Sequence, residues 1–259
     1  MNVSSWLKKA AISRLDAELI LANSLGKDRV FLHAHPDYEL SETEEKQADS
    51  DLERRAKHEP LAYILGYKEF YGRNFIVSPD VLIPRPETEA IINLAKEQKP
   101  AKILDVGTGS GCIAITLKLE LPVSNVSAVD ISPKALQIAR RNAAKLGAEI
   151  AFSESDLLEK VQGEYDLIVA NLPYVDKNWD WLSPELAYEP DLALYAEDSG
   201  LYDIKRLVRQ AEAHLTKQGV LMLESDLSQH GKIQDYIENN TKLTLVKTEG
   251  LAQMFVKTA

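Results

Sequence analysis

The sequence has 259 residues, 45% hydrophobic and 27% charged, the proportions of a folded globular chain and not of a disordered or fibrous one. Forty acidic residues against 30 basic ones leave a net charge of -10, which argues against tight sequence-independent binding to nucleic acid by phosphate neutralisation. The single cysteine, Cys112, excludes an internal disulfide; charged residues interrupt Met1–Leu25 where a signal peptide needs an unbroken apolar core, and no run reaches the roughly 18–20 apolar residues of a membrane span, so a cytoplasmic address with no membrane partner is expected.

Apolar residues at mixed three- and four-residue steps, among them Leu7, Ala11, Leu15 and Leu19, predict a helix from Ser4 to Leu25 that stops at Gly26. Ser41 followed by Glu44 is the spacing at which a hydroxyl and a carboxylate satisfy each other's free backbone donors, so a second helix is predicted to about Lys57. Pro60 and the apolar Leu61 to Leu65 lead to Gly66, closing a small all-helical domain over 1–66. Aromatic and β-branched residues broken by Gly72, Asn74 and Pro79 suit a β-hairpin within a linker over 67–84. Pro86 stands where a helix begins, with Glu87 and Glu89 in the first turn where the helix dipole favours them, and this helix is predicted through about Glu97.

From Lys102 onward short apolar runs alternate with helical segments. Ile103 to Val106, Val126 to Asp130, Ile150 to Phe152, Tyr165 to Ala170 and Val220 to Glu224 are predicted strands, and Ser132 with Pro133 opens a helix ending near Gly147. This alternation implies an α/β domain over 85–259 with a mostly parallel sheet and helices on both faces. Two β-rich runs within 242–257, separated by Glu249 and Gly250, predict a terminal hairpin.

Asp105 and Val106 end a predicted strand and are followed by Gly107, Thr108, Gly109, Ser110 and Gly111 before a helix start. Alternate glycines let the backbone turn sharply and approach a ligand, while free N–H groups at the next helix face negative charge. A dinucleotide fingerprint needs its third glycine where Cys112 stands, so a nicotinamide or flavin is a poor fit. Asp130, at the end of the next strand, is placed to accept from both hydroxyls of a ribose; Asp156 and Leu157, after the third strand, are placed to contact an adenine. An adenosine-bearing ligand satisfies all three anchors, although Asp156 also suits a plain turn.

Asn171, Leu172, Pro173 and Tyr174 follow the strand Tyr165 to Ala170 directly, at the carboxyl edge of the sheet where open α/β folds bind ligands. They resemble the Asn-Pro-Pro-Tyr signature of class I methyltransferases that act on amino groups conjugated to a π system, with Leu172 in place of the first proline. On that resemblance the Asn171 side-chain oxygen and the Leu172 carbonyl accept the two N–H bonds of a target NH2, and Tyr174 packs on its plane. Fixed acceptors would hold a weakly nucleophilic amide nitrogen in line and stabilise the positive charge that develops, with no general base required.

The likeness extends to Gly66-Tyr67-Lys68-Glu69-Phe70-Tyr71-Gly72, to Val81-Leu82-Ile83-Pro84-Arg85-Pro86-Glu87-Thr88-Glu89, and to Leu182-Ser183-Pro184-Glu185 with Glu189-Pro190 and Ala193-Leu194. Through these segments the chain is similar to the HemK-type release-factor glutamine methyltransferases, strongly over about 60–225. The resemblance implies a Rossmann-like class I fold with seven strands, mostly parallel and ending in an antiparallel hairpin, behind a helical domain that helps hold the substrate. It implies methyl transfer from S-adenosyl-L-methionine, leaving S-adenosyl-L-homocysteine, to the glutamine of the Gly-Gly-Gln loop of class 1 peptide chain release factors. Arg85 and the Pro86 to Glu89 segment are then expected to border the substrate pocket, although a simple helix start explains Pro86 and Glu87 as well. Ala196, Glu197, Asp226 and Gln253 depart from the family's usual residues.

Two other readings use the same motifs. A DNA adenine amino-methyltransferase could employ the same acceptor pair, but it would need a basic track and a device for extruding the base, which this acidic sequence lacks. A binding module that has lost transfer activity would keep the cofactor loop and accept Leu172. His33 and His35, with the scattered His58, His214 and His230, form no metal-ligand pattern, so no metal is expected, and Cys112 is expected to pack as a small apolar side chain.

Overall fold

The computed structural model describes residues 1–180 and 182–258, which form two compact units, Met1–Tyr67 with Ser183–Tyr188 and Lys68–Leu182 with Glu189–Ala259. The first unit holds helices α1 (Val3–Lys9), α2 (Arg14–Leu25), α3 (Arg29–Ala34), α4 (Glu42–Ala56) and α5 (Leu61–Leu65). The single helix predicted over Ser4 to Leu25 is thus two. Asn2 caps the first by accepting from the Ser5 N–H, and Ser13 restarts the second by accepting from Asp16. The apolar periodicity runs across the break because both helices turn Val3, Trp6, Leu7 and Ala17, Ile20, Leu21 into one core. The short α3, capped by Asp28, spans only six residues, too few for a helical period to declare itself in the sequence. Ser41 and Glu44 do form the reciprocal cap that opens α4. Ser183–Tyr188 belongs to this unit through Arg55, which donates to Asp16 (2.7 Å) and Glu185 (2.8 Å), and through the Tyr188 hydroxyl on the Lys57 carbonyl (2.7 Å).

Strands β1 (Tyr67–Phe70) and β2 (Arg73–Ile76) pair as a hairpin. The second unit continues through α6 (Glu89–Gln98), β3 (Lys102–Val106), α7 (Cys112–Glu120), β4 (Asn125–Asp130), α8 (Pro133–Leu146), β5 (Ala151–Glu154), β6 (Tyr165–Ala170), α9 (Asp191–Leu194), α10 (Glu197–Gly200), α11 (Tyr202–Ala211), β7 (Leu215–Glu224), α12 (His230–Asn240), β8 (Leu243–Glu249) and β9 (Ala252–Lys257). Pro86–Thr88 is a 3-10 turn leading into α6, so the predicted proline start is met by a tighter turn first. The third predicted strand lies slightly later than expected, and β7 begins five residues earlier, at Leu215, where a register irregularity between Tyr165 and Leu167 lets it join β6.

These seven strands form one sheet in the order β5-β4-β3-β6-β7-β9-β8, parallel except for β9, which runs antiparallel to β7 and β8. Alternate residues serve opposite faces, as the period of a strand requires. Leu104, Val106 and Ile168 join a core with Leu207 and Phe255, whereas Ile103, Leu167 and Val169 join another with Ile91 and Ile115. The connections leave β3 and β6 in opposite directions, one toward β4 and the other toward β7. This switch point brings the loops after β3 and β6 side by side. Among the described residues no helix is long and apolar enough to cross a membrane.

Candidate active site

The loop after β3 is shaped by its own neighbours. Gly107 and Thr108 both donate backbone N–H groups to the Val129 carbonyl (2.9 and 3.0 Å), and Gly107 takes a φ of 72° that a side chain would resist. Asp105, fully buried beneath the loop, accepts from the Thr108 hydroxyl (2.6 Å) and the Ala114 N–H (3.2 Å). Burial pushes its carboxyl up to about 7 despite these two donors. Asp130 accepts from Gly109 N–H on one oxygen and from Ser132 N–H on the other, each at 2.8 Å, and burial again raises its pKa against those bonds. Each oxygen retains acceptor capacity after its one backbone bond.

Gly107 to Ser110, Asp130, Asp156, Leu157, Asn171, Leu172, Pro173 and Arg85 all line a single cavity of about 220 Å³. Gly111 stands behind that wall. A Cβ there would lie 2.8 Å from Ile115 Cδ1 and 3.2 Å from Ala139 Cβ, so this glycine lets α7 pack against α8. Tyr174 also lies outside the lining and directs its hydroxyl at Glu224 (3.4 Å). Cys112 borders the cavity, and burial pushes its thiol up to about 12, leaving it protonated and unreactive. Asp156 accepts from Arg206 (2.7 Å), a residue of α11 that also meets Asp203 (3.3 Å).

The amide motif sits on a second hydrogen-bonded frame. Ala170 pairs with Leu223 in the parallel ladder, so the next residues along, Asn171 and Glu224, are neighbours by register. Asn171 Nδ2 donates to Glu224 Oε1 (2.9 Å) and to Thr88 Oγ1 (3.1 Å). Glu224 is 1% exposed; burial pushes its carboxyl up to about 7, opposed by its hydrogen bonds with Thr88, Tyr174 and Asn171. The Tyr174 phenol is likewise raised, by burial first and then by Glu224. Arg85 forms an ion pair with the buried Glu189, which also accepts from the Ile83 N–H (3.0 Å). The segment from Val81 to Glu89 is therefore held at Ile83 and Arg85 by Glu189 and tied to the amide motif by Thr88.

The sequence singled out neither Arg206 nor Glu224, and reached Thr88 only as part of the Pro86 to Glu89 segment expected at the pocket border, where it does line the cavity. A signal existed for Glu224, since a carboxylate closes the apolar run of Val220 to Leu223 at the carboxyl end of a predicted strand. Arg206 carries none, because its role depends on where α11 packs. Among the described residues no group of three or more histidines, cysteines or carboxylates could hold a metal ion.

Residues 2–66 match the PrmC N-terminal domain and residues 86–182 match the methyltransferase small domain. A release factor glutamine methyltransferase of Koribacter versatilis is 44% identical over 241 residues, spanning 90% of this chain and 86% of that one. This chain belongs to the release factor glutamine methyltransferase family. Another relative bearing that name, from Neisseria gonorrhoeae, is 37% identical over 93% of this chain and 90% of its own. A solved ribosomal protein L11 methylase from Lactobacillus delbrueckii superposes with a TM-score of 0.51 at 25% identity, covering 74% of this chain and 90% of that structure. The family's fold is the one built here: a Rossmann-like class I methyltransferase sheet of seven strands with a helical amino-terminal part.

Proposed function

We infer that this chain transfers a methyl group from S-adenosylmethionine to the side-chain amide nitrogen of the glutamine in the Gly-Gly-Gln loop of class 1 release factors. The observation that carries this reading is the state of Asn171: both N–H bonds of its amide are donated to protein acceptors, no donor meets its Oδ1 among the described residues, and it lines the cavity beside the glycine loop. That leaves an oxygen acceptor, and not a donor, for an incoming NH2 group.

The cavity suits the cofactor on the chemistry of its walls. Asp130 keeps one acceptor position on each oxygen for a vicinal diol, Asp156 keeps an oxygen beyond its Arg206 bond for an exocyclic amine, and Leu157 offers an apolar surface to a base. Gly107 to Ser110 give close backbone approach at the centre. When bound, S-adenosylmethionine supplies a methyl group on a positively charged sulfur. The protein's part is to position: Asn171 Oδ1 and the Leu172 carbonyl accept the two N–H bonds of the target, fixing the nitrogen lone pair and stabilising its growing charge. The methylated amide cation is a strong acid and loses its proton to water, so no side-chain base is assigned.

We assign residues 1–66 to holding the release factor, 67–84 to a linker and 85–259 to catalysis. Neither nucleic acid nor a membrane is assigned as a partner, in keeping with the net charge of -10. The test is methyl transfer from labelled S-adenosylmethionine to a purified release factor, beside the same factor with its Gly-Gly-Gln glutamine replaced and beside duplex DNA. Label on the unmodified factor alone supports the reading; labelled DNA, or label that survives glutamine replacement, overturns it.

A further inference from the structure

An asparagine that must act as an acceptor has a built-in ambiguity. Its amide oxygen and nitrogen are nearly equal in size, and a half-turn about the last side-chain bond exchanges an acceptor for a donor. Facing a target NH2, the wrong rotamer sets donor against donor and removes the interaction that orients the nucleophile. Packing does not discriminate between the two orientations because their shapes agree. Hydrogen-bond partners do.

From the placement of three side chains we propose that Glu224 and Thr88 are positioning residues that lock the Asn171 amide with Oδ1 toward the reacting nitrogen, and that this lock is what the Thr88 position of the Val81 to Glu89 segment contributes to the reaction. Glu224 Oε1 and Thr88 Oγ1 receive the two hydrogens of Asn171 Nδ2, at 2.9 and 3.1 Å. Turning the amide would set Asn171 Oδ1 against Glu224 Oε1, which also receives the Tyr174 hydroxyl and so stays an acceptor even when the carboxyl carries its proton on Oε2. Glu224 is 1% exposed and Thr88 2%, so water does not readily compensate for that exchange. The two partners come from different parts of the chain. Glu224 arrives through the register of β7 on β6, and Thr88 closes the 3-10 turn ahead of α6. The Tyr174 hydroxyl reaches the same Glu224 oxygen at 3.4 Å, which joins both ends of the amide motif to one carboxylate.

This inference rests on the amide-methylating reading, and its test separates the two. In the full chain, Glu224→Gln keeps an oxygen able to accept from Asn171 and retains kcat within about threefold of wild type. Glu224→Leu removes the acceptor and lowers kcat by about 100-fold, and Thr88→Val by about 10-fold. The KM for release factor and the direct affinity for S-adenosylhomocysteine, read by calorimetry, stay near wild type. Because the effect passes through Asn171, Asn171→Ala combined with Glu224→Leu is no slower than Asn171→Ala alone. Losses that multiply, or a Glu224→Gln variant as slow as Glu224→Leu, overturn the proposal.

An activity-independent measurement is the side-chain amide NMR signal of Asn171, identified by its disappearance in Asn171→Asp. Both protons are expected to exchange slowly in wild type and rapidly in Glu224→Leu. Slow exchange without methyl transfer to any release factor would leave the lock standing and remove the substrate reading. Rapid exchange in wild type would remove the lock whatever the substrate.

Discussion

Leu172 stands where the amide signature has proline, and its surroundings explain how the exchange is tolerated. A proline ring would restrain φ covalently; here the restraint comes from packing. The leucine side chain is 5% exposed and shares a core with Val106, Ile168 and Ala170. It also fills the space in front of the cofactor loop, since a Cβ added at Gly107 would lie 2.9 Å from Leu172 Cδ2. Leu172→Ala is therefore expected to cost about 2–5 kcal/mol in stability and to lower kcat as the Leu172 carbonyl loses its fixed position. Thermal denaturation beside steady-state kinetics checks this, and a variant with wild-type values of both refutes it. The far side of the motif is gripped more tightly still. Gly200 has φ of 80°, and a Cβ there would lie 2.0 Å from the Tyr174 carbonyl oxygen, which Gln229 Nε2 holds at 2.8 Å. Gly200→Ala must displace that carbonyl, with an expected loss of about 3 kcal/mol or more. Chemical denaturation that places this variant within 1 kcal/mol of wild type, on the order of an ordinary surface change, would count against the clamp.

The next scale is the element, where α8 acts as a bracket for the site. Its Asn142 is fully buried; Oδ1 accepts from the Ile76 N–H (2.7 Å), and Nδ2 donates to the carbonyls of Ile76 (3.0 Å) and Ser110 (2.9 Å). One side chain thus joins the end of the β1–β2 hairpin to the cofactor loop. Asn142→Ala leaves those backbone groups without their partner and is expected to cost about 3 kcal/mol while raising the dissociation constant for S-adenosylhomocysteine; unchanged calorimetric affinity would exclude the link to the loop. The sequence announced α8 clearly through Ser132, Pro133 and Gly147, and β3, β4 and β6 through apolar runs, because those signals are local. It also pointed to the glycine loop by its alternate glycines at a strand end, and to Asn171 through Tyr174 by their place at a strand end together with their resemblance to the Asn-Pro-Pro-Tyr signature. The break between α1 and α2 escaped notice because both helices feed one core without interrupting the apolar period. Glu224, Asn142 and the contact of Thr88 with Asn171 were not legible for a different reason: the partners lie far apart in sequence, at separations of 53 residues for Asn171 with Glu224, 83 for Asn171 with Thr88 and 66 for Asn142 with Ile76, and only strand register and helix packing bring them together.

At the scale of the whole molecule, the carboxyl edge of the sheet concentrates carboxylates that are buried for function at some cost to stability. Asp105 at the end of β3 and Glu224 at the end of β7 are both pushed up to about 7 by burial. In the unfolded chain their ordinary values are 3.8 and 4.5, so above about pH 5 the unfolded state has released two protons that the folded state still binds, and burial shifts Asp130 at the end of β4 in the same direction. Stability must then fall as pH rises from about 5 through 7, and level off above about pH 8. Glu18, Glu44 and Glu120 are shifted the other way by their hydrogen-bond partners. Their contribution is complete once pH exceeds the unfolded value, so it does not oppose the trend in this window. Each raised carboxyl accounts for a decline on the order of a few kcal/mol. The ligand-free chain is accordingly expected to melt at higher temperature at pH 5.5 than at pH 8, and Asp105→Asn with Glu224→Gln, which remove both titrations, should flatten that difference. Melting curves of the two proteins across the window decide the matter: a double variant that retains the full wild-type slope would move the titrating groups elsewhere in the chain.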